Sequence, residues 1–221
     1  MPAGNNVSYV MAGKVVNIKI CGSHQHHLGL IAKSSEVRHY AYTQRYMQDY
    51  DMKGKTVQLI EPTIEDYKVI KSIWEDEATM NDVGGIVPIP LTKYQKWFSR
   101  MMNSKTDKFF LVYDNVLNRC IGEVSFHRYD LSTKTAELNI KIVSTFRNKG
   151  KATESLNILL NYYFKVFGGY YIIDKVASKN KVGLKMLLNY GFKIKKETPE
   201  ITMLILSKED YLNLKSSQSC T

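Results

Sequence analysis

The segment Arg147–Ala152, which reads Arg-Asn-Lys-Gly-Lys-Ala, contains the clearest candidates for chemistry in the sequence. It lies between a strand-like stretch and a helix-like stretch. The start of a helix exposes unpaired backbone N–H groups and the positive end of the helix dipole, and together these bind phosphate oxygens. Gly150 lets an anion approach the backbone closely, and three basic residues add positive charge. The segment therefore predicts a phosphate site, although similar loops also occur without a ligand.

A second candidate is the run Cys21-Gly-Ser-His24-Gln-His26-His27, in which one cysteine and three histidines fall within seven residues. Such side chains can bind zinc. Structural zinc sites, however, need four ligands and usually take them as two separated pairs. The alternative is a polar loop without a ligand, and we expect no metal.

Regular elements must position these residues, and the pattern from about residue 55 onward predicts an α+β fold. In Ala136–Val143, apolar side chains alternate with polar ones, which is typical of a strand with one buried face. Helices are predicted to begin near Thr63, Thr92, Lys151 and Asn180. The predicted strands are Thr56–Ile60, Phe109–Tyr113, Ile121–Tyr129, Ala136–Val143, Tyr170–Val176, Phe192–Lys195 and Ile201–Leu206.

The length of 221 residues suits one domain with an extension. We divide the chain into an N-terminal extension, residues 1–52, and a main domain, residues 53–221. In the extension, Val15–Cys21 and Leu28–Ala32 are predicted strands and Ser35–Tyr50 is a predicted helix. The first dozen residues are expected to form a loose tail.

The charge balance limits the class of partner. The sequence has 31 Lys and Arg against 21 Asp and Glu, a net charge of +10, which suits an anionic ligand. The basic residues are spread along the chain rather than concentrated in one arm, so a nucleic-acid partner is not expected. The three cysteines imply no disulfide framework, and the sequence shows neither a signal peptide nor a membrane-spanning apolar run. We expect a soluble, cytoplasmic protein without a membrane partner.

The phosphate-site segment also resembles a family signature. Arg147, Gly150 and Ala152 match the pyrophosphate-binding pattern Arg/Gln-x-x-Gly-x-Gly/Ala of the GNAT superfamily of acetyl-CoA-dependent N-acetyltransferases. In that family the pattern follows the fourth strand and opens the third helix. The predicted elements put it at the same place here.

Further residues extend the resemblance over about residues 55–208. Asn180 and Gly191-Phe192 match a family Asn at the start of the fourth helix and a Gly-Phe eleven residues later. The Ile-Gly-Glu-Val of Ile121–Val124 and the Ala-Glu-Leu of Ala136–Leu138 resemble the third and fourth strands of the ribosomal-protein N-acetyltransferase branch.

The resemblance implies a mixed, mostly antiparallel sheet of about six to seven strands flanked by four helices. The fourth and fifth strands splay apart, and acetyl-CoA lies in the wedge between Ile140–Val143 and Ile173–Val176. Asn180 contacts the pantetheine amide in this interpretation, or is a plain helix N-cap. The implied cofactor-binding residues are Ile140, Ile142, Val143, Arg147, Asn148, Lys149, Gly150, Lys151, Ala152, Thr153 and Asn180.

The resemblance also implies direct attack by the amine, with a backbone N–H stabilising the oxyanion. Glu137 is the candidate catalytic base, and its alternative is a solvated residue on the polar face of a strand. Glu123 and His127 are weaker candidates. Many family members place a Tyr seven residues after the helix-four Asn, but Leu187 stands there, so the general acid is unassigned.

The sequence thus predicts transfer of an acetyl group from acetyl-CoA to a primary amine, either a protein N-terminus or a small amine. The alternative is a non-catalytic acyl-CoA-binding sensor with the same fold. A basic RNA-binding protein is a third class, which the scattered charge disfavours. A monomer or a homodimer is expected.

Overall fold

The computed structural model describes residues 6–11, 14–19 and 52–218. The chain divides into two units, Met1–Tyr42 and Thr43–Thr221. The described part of the first unit is an antiparallel hairpin of two strands, β1 (Asn6–Met11) and β2 (Lys14–Lys19).

The hairpin differs from the sequence-based expectation for this region. A loose tail was expected over the first dozen residues, but Asn6–Met11 is a strand that pairs with β2 along its whole length. Val7, Tyr9 and Val10 are β-branched or aromatic residues, which favour extended backbone. The strand predicted at Val15–Cys21 overlaps β2. The predictions for Leu28–Ala32, for Ser35–Tyr50 and for the cysteine–histidine run from Cys21 lie outside the described residues.

The described residues of the second unit contain seven strands and six α-helices. The strands are β3 (Val57–Ile60), β4 (Lys108–Asp114), β5 (Arg119–Asp130), β6 (Thr135–Ile142), β7 (Tyr171–Ala177), β8 (Lys193–Glu197) and β9 (Ile201–Ser207). The helices are α1 (Tyr67–Trp74), α2 (Glu77–Met80), α3 (Leu91–Met102), α4 (Lys151–Tyr162), α5 (Lys181–Tyr190) and α6 (Lys208–Gln218). The predicted α+β fold is confirmed, and the short α2 and the C-terminal α6 add to the four expected helices.

The seven strands form one sheet in the order β3-β4-β5-β6-β7-β9-β8. Every neighbouring pair is antiparallel except β6 and β7, which are parallel. Their pairing covers three positions and ends at Glu137 and Ile173. Beyond that point the two strands separate, as expected for the fourth and fifth strands of the predicted sheet.

Helices cover both faces of the sheet because its central strands have apolar side chains on both faces. In β4, Phe110 and Val112 join the larger core with α4, α5 and α6, whereas Phe109 and Leu111 join a second core with α1 and α3. Such a strand is apolar at successive positions rather than at every second one. The Tyr211 side chain of α6 packs in the larger core and is 1 % exposed.

Glycines in the left-handed region end two of the helices that flank the sheet. A five-residue π-helical turn continues α4 as far as Gly168, whose φ is +92°, and Gly191 with φ +119° ends α5. Across the described ranges, no helix combines the length and apolar character required to cross a membrane.

We predict that Gly191→Ala destabilises the protein by about 2–4 kcal/mol. The added Cβ forces an L residue into the left-handed region and also collides with the Leu214 side chain of α6. Gly168→Ala is the matched control, because its Cβ meets no atom within 4 Å, and only the backbone strain of about 1 kcal/mol remains. Urea unfolding measures both. Equal losses for the two variants would contradict the packing argument.

Candidate functional site

The separation of β6 from β7 opens a cleft of about 560 Å³. Its walls are the two strands, the start of α4 and the first turns of α5. The residues that line it are Asp82, Val83, Gly84, His127, Glu137, Leu138, Asn139, Ile140, Lys141, Ile142, Arg147, Asn148, Gly150, Lys151, Ala152, Thr153, Asp174, Lys175, Val176, Ala177, Asn180, Val182, Gly183, Met186, Leu187 and Ile201.

The structure brings ten of the twelve predicted site residues to this cleft. These are Glu137, Ile140, Ile142, Arg147, Asn148, Gly150, Lys151, Ala152, Thr153 and Asn180. Val143 and Lys149 are not among the lining residues. Val143 packs against the second core, and Lys149 places its ammonium 5.8 Å from the centre of the Phe146 ring. Their proposed contact with a cofactor stays a prediction.

The loop before α4 has the backbone shape of an anion cradle. Asn148 and Gly150 have φ values of 60° and 74°, which turn the chain sharply into the helix. The backbone N–H of Glu154 donates to the oxygen of Gly150 over 3.0 Å. The three N–H groups ahead of it, at the positive end of the helix dipole, therefore precede the first hydrogen bond of α4. A Cβ built on Gly150 would meet no protein atom within 4 Å, so the cradle is open to a ligand.

Arg147 directs its guanidinium to the protein rather than into the cradle. Its Nε donates to the carbonyl of Ile142 (3.0 Å), and its terminal nitrogens donate to Asp82 (2.7 Å) and to the carbonyl of Thr79 (2.9 Å). The backbone N–H of Ser144 also donates to the Thr79 hydroxyl, over 3.0 Å. Arg147 therefore holds α2 and the loop after it against the end of β6.

Lys151 is also engaged within the protein. Its ammonium lies 2.8 Å from the carboxylate of Asp114 at the end of β4, and both side chains are largely buried. Three residues on, Glu154 accepts a hydrogen bond of 2.8 Å from the backbone N–H of Thr56. The first turn of α4 is thus fixed to the edge of the sheet, which positions its backbone N–H groups.

Glu123, a weaker candidate base, is completely buried. Its carboxylate accepts hydrogen bonds from the indole N–H of Trp74 (2.6 Å), from Lys141 (2.5 Å) and from Asn139 (3.4 Å). It is not among the residues that line the cleft. We infer that Glu123 orients Trp74 and Lys141 on the face of the sheet opposite α4.

Glu137 lines the cleft and is surrounded by cationic side chains. One carboxylate oxygen lies 2.8 Å from Lys175, and the other lies 3.0 Å from Arg128 and 3.6 Å from His127. Partial burial raises the pKa of Glu137, but Lys175 and Arg128 outweigh it and hold the pKa below its usual range. Burial lowers the pKa of His127 despite the nearby carboxylate. Glu137 is therefore ionised and of reduced basicity, and its role as the base stays a prediction.

Asp174 is a site residue that the sequence analysis passed over. It lines the cleft from β7, one position after the last residue paired with β6. Burial raises its pKa to about 7. A signal was present in the sequence, because Asp174 interrupts the apolar alternation of Ile172 and Val176 in a predicted strand.

Asn180 caps α5, since its side-chain oxygen accepts a hydrogen bond of 2.8 Å from the backbone N–H of Gly183. Asn180 is also a lining residue of the cleft, so the N-cap does not exclude the predicted ligand contact. Leu187 lies in the wall, and no tyrosine is among the described lining residues. Tyr190 instead donates to Asn157 over 2.7 Å. Nor does any group of His, Cys, Asp and Glu in the described part of the chain have the arrangement of a metal site.

Comparisons with known proteins agree with this geometry. The family model described as acetyltransferase (GNAT) domain matches residues 56–193. The fold is similar to that of spermidine N-acetyltransferase from Vibrio cholerae in complex with CoA and spermine, with 18 % identity, 72 % of this chain and 100 % of that chain covered, and a TM-score of 0.67. No curated protein matches the sequence.

Two further solved structures share the fold at similarly low identity. FdhC, a nucleotide-linked sugar GNAT, has 16 % identity and a TM-score of 0.66 over 77 % of this chain and 97 % of its own. An acetyltransferase of the GNAT family from Bacillus anthracis has 18 % identity and a TM-score of 0.61 over 72 % of this chain and 99 % of its own. The likeness to all three is one of fold.

We predict that Arg147→Ala destabilises the protein by about 1–3 kcal/mol, because three hydrogen bonds of a charged donor are lost. It should also accelerate amide hydrogen exchange in α2, since the clamp on Thr79 and Asp82 is removed. Lys149→Ala is the matched control, because it deletes the same charge two residues away and should cost less than about 1 kcal/mol. Unchanged exchange in α2 of Arg147→Ala would contradict the clamp.

Proposed function

This chain belongs to the GNAT acetyltransferase family, and we propose that it transfers an acetyl group from acetyl-CoA to a primary amine. The observation that carries the proposal is the cleft between β6 and β7. It runs from the point where the strands separate to the open cradle at Gly150. A long ligand with phosphates at one end and a reactive group at the other fits that arrangement.

The cradle and the strand edge supply the binding groups for acetyl-CoA. Backbone N–H groups at the start of α4 bind the pyrophosphate, with Asn148 and Thr153 beside them. Among the described strands, none pairs with the edge of β6 beyond Glu137 on the β7 side, so its backbone can pair with the amides of the pantetheine arm. Asn180 contacts the same arm from the start of α5. When bound, acetyl-CoA supplies the activated acetyl group.

The amine attacks the thioester carbonyl directly in this scheme. The described lining residues include neither a serine nor a cysteine, which supports direct attack over an acyl-enzyme. A backbone N–H of β6 stabilises the negative charge that develops on the carbonyl oxygen. Water delivers the proton to the leaving thiolate, because Leu187 stands where many relatives have a tyrosine.

The charges around the apex of the cleft favour an amine with one positive charge. Lys141 pairs with Glu123, and Lys175 and Arg128 pair with Glu137, so among the described residues Asp174 is the one carboxylate near the apex without an ion pair. A polyamine would bring further positive charge to carboxylates that are already neutralised. We therefore propose a protein N-terminus, as in the ribosomal-protein branch, or a small monoamine as the acceptor.

We predict that Gly150→Val abolishes binding of CoA in calorimetry. A β-branched residue disfavours the left-handed backbone of Gly150, and its side chain fills the cradle. Gly168→Val is the matched control, because it places the same residue at a similar φ at the far end of α4. Binding by a folded Gly150→Val at parental affinity would remove the cradle from the proposal.

We predict acetyl-CoA turnover with a peptide N-terminus, at a kcat/KM on the order of 10-fold above that for spermidine. Thiol release with a panel of amines measures both. Lys175→Glu adds a carboxylate near the apex and should shift the ratio towards spermidine. CoA binding without turnover of any amine would instead support the acyl-CoA sensor.

A further inference from the structure

The Asp174 side chain lies on an apolar face of β7. Side chains at every second position of a strand point to the same face, so Asp174 shares its face with Ile172 and Val176, which are 0 % and 6 % exposed. Its antiparallel partner on β9 is Leu204, which is completely buried. An unpaired carboxylate in such surroundings costs stability, so its presence there points to a function.

The position of Asp174 along the cleft coincides with the apex of the wedge. The last paired positions of the two strands are Glu137 and Ile173, and Asp174 is the next residue of β7. The anion cradle follows the other end of β6. Five residue steps separate Glu137 from Ile142, a distance of roughly 17 Å along the strand. Phosphates bound at the cradle therefore direct the opposite end of a long ligand towards Asp174.

Asp174 differs from the other two carboxylates near the apex in the partners of its carboxyl group. Glu123 and Glu137 are each held by cationic side chains. In the described part of the chain, the backbone N–H of Lys175 contacts the carboxyl group of Asp174, and no side chain forms an ion pair or hydrogen bond with it. Asp174 therefore keeps an oxygen for a ligand.

The surroundings of Asp174 bring its pKa close to neutral pH. Burial raises its pKa to about 7, opposed by the backbone N–H of Lys175, while the charge of Glu137 raises it further and Lys141 lowers it. The α5 residues in the same wall, which include Met186 and Leu187, do not titrate. A base with a pKa near the working pH is best suited to proton transfer.

We propose that Asp174 is the catalytic base that takes the proton from the acceptor ammonium, an inference that rests on the proposed function. One N–H proton moves from the ammonium to an Asp174 oxygen, which leaves the lone pair on nitrogen. That pair forms the N–C bond, the C–S bond breaks, and the thiolate takes the second N–H proton through water. Asp174 then releases its proton to solvent. Glu137, ionised beside Lys175 at the same apex, does not take the proton.

Two isosteric variants separate the carboxylates by pH profile. Asp174→Asn should lower kcat/KM on the order of 10²-fold, and the acidic limb near pH 7 should disappear. Glu137→Gln should keep that limb but move it to lower pH, because the charge of Glu137 no longer raises the pKa of Asp174. Loss of the limb in Glu137→Gln together with its retention in Asp174→Asn would overturn the proposal.

A second measurement needs no bound substrate. The pKa of Asp174 is raised in the folded state, so the stability that its neutral form allows is present at pH 4 and is lost as the pH rises through about 7. Asp174→Asn should therefore raise Tm relative to the parent by an amount that grows between pH 4 and pH 7 and is constant above. The pKa of Glu137 is lowered, so Glu137→Gln should lower Tm at neutral pH, and the difference should fade in acid.

The outcomes also separate this inference from the proposed function. A parent protein that turns over, with an Asp174→Asn variant of equal kcat/KM and unchanged pH profile, overturns the role of Asp174 alone. A parent that acetylates no amine overturns the proposed function and this inference together. A Tm difference for Asp174→Asn that is independent of pH contradicts the raised pKa and overturns the inference.

Discussion

The early end of the pairing between β6 and β7 is the constraint on which the site depends. Neither strand loses its structure when they separate. β6 stays paired with β5 as far as Ile142, and β7 stays paired with β9 over seven positions from Tyr171 to Ala177. Each strand therefore has one edge satisfied and one edge available beyond Glu137. The cleft is a gap between two well-supported strands, and its rigidity comes from their outer neighbours.

The basic residues around the cradle act mainly on the protein itself. Arg147 binds Asp82 and two carbonyl groups, and Lys151 binds Asp114. Their charges are compensated, so the proposed affinity for phosphate depends on backbone N–H groups whose direction these side chains fix. Backbone N–H groups and the helix dipole are the two features by which helix N-termini bind phosphate.

The surroundings shift the pKa values of two carboxylates at the apex in opposite directions. Lys175 and Arg128 lower the pKa of Glu137, whereas burial raises the pKa of Asp174, and the charge of Glu137 adds to that rise. A pair of acids with separated pKa values is a common basis for dividing roles within one site. The ionised Glu137 thus also contributes to the basicity of its neighbour.

The sequence by itself determined the order of the main strands and the starts of the helices after Gly150 and Asn180, because these depend on short-range patterns and local backbone conformation. It did not predict α6, because the apolar pattern of this helix is weak. Tyr211 is buried only through its contact with the core. Only the tertiary structure decided that Arg147 turns to Asp82, 65 residues away, and that Lys175, 38 residues away, engages Glu137. Ion pairs and burial arise between elements distant in sequence, so the packing of those elements determined which carboxylate keeps a free oxygen.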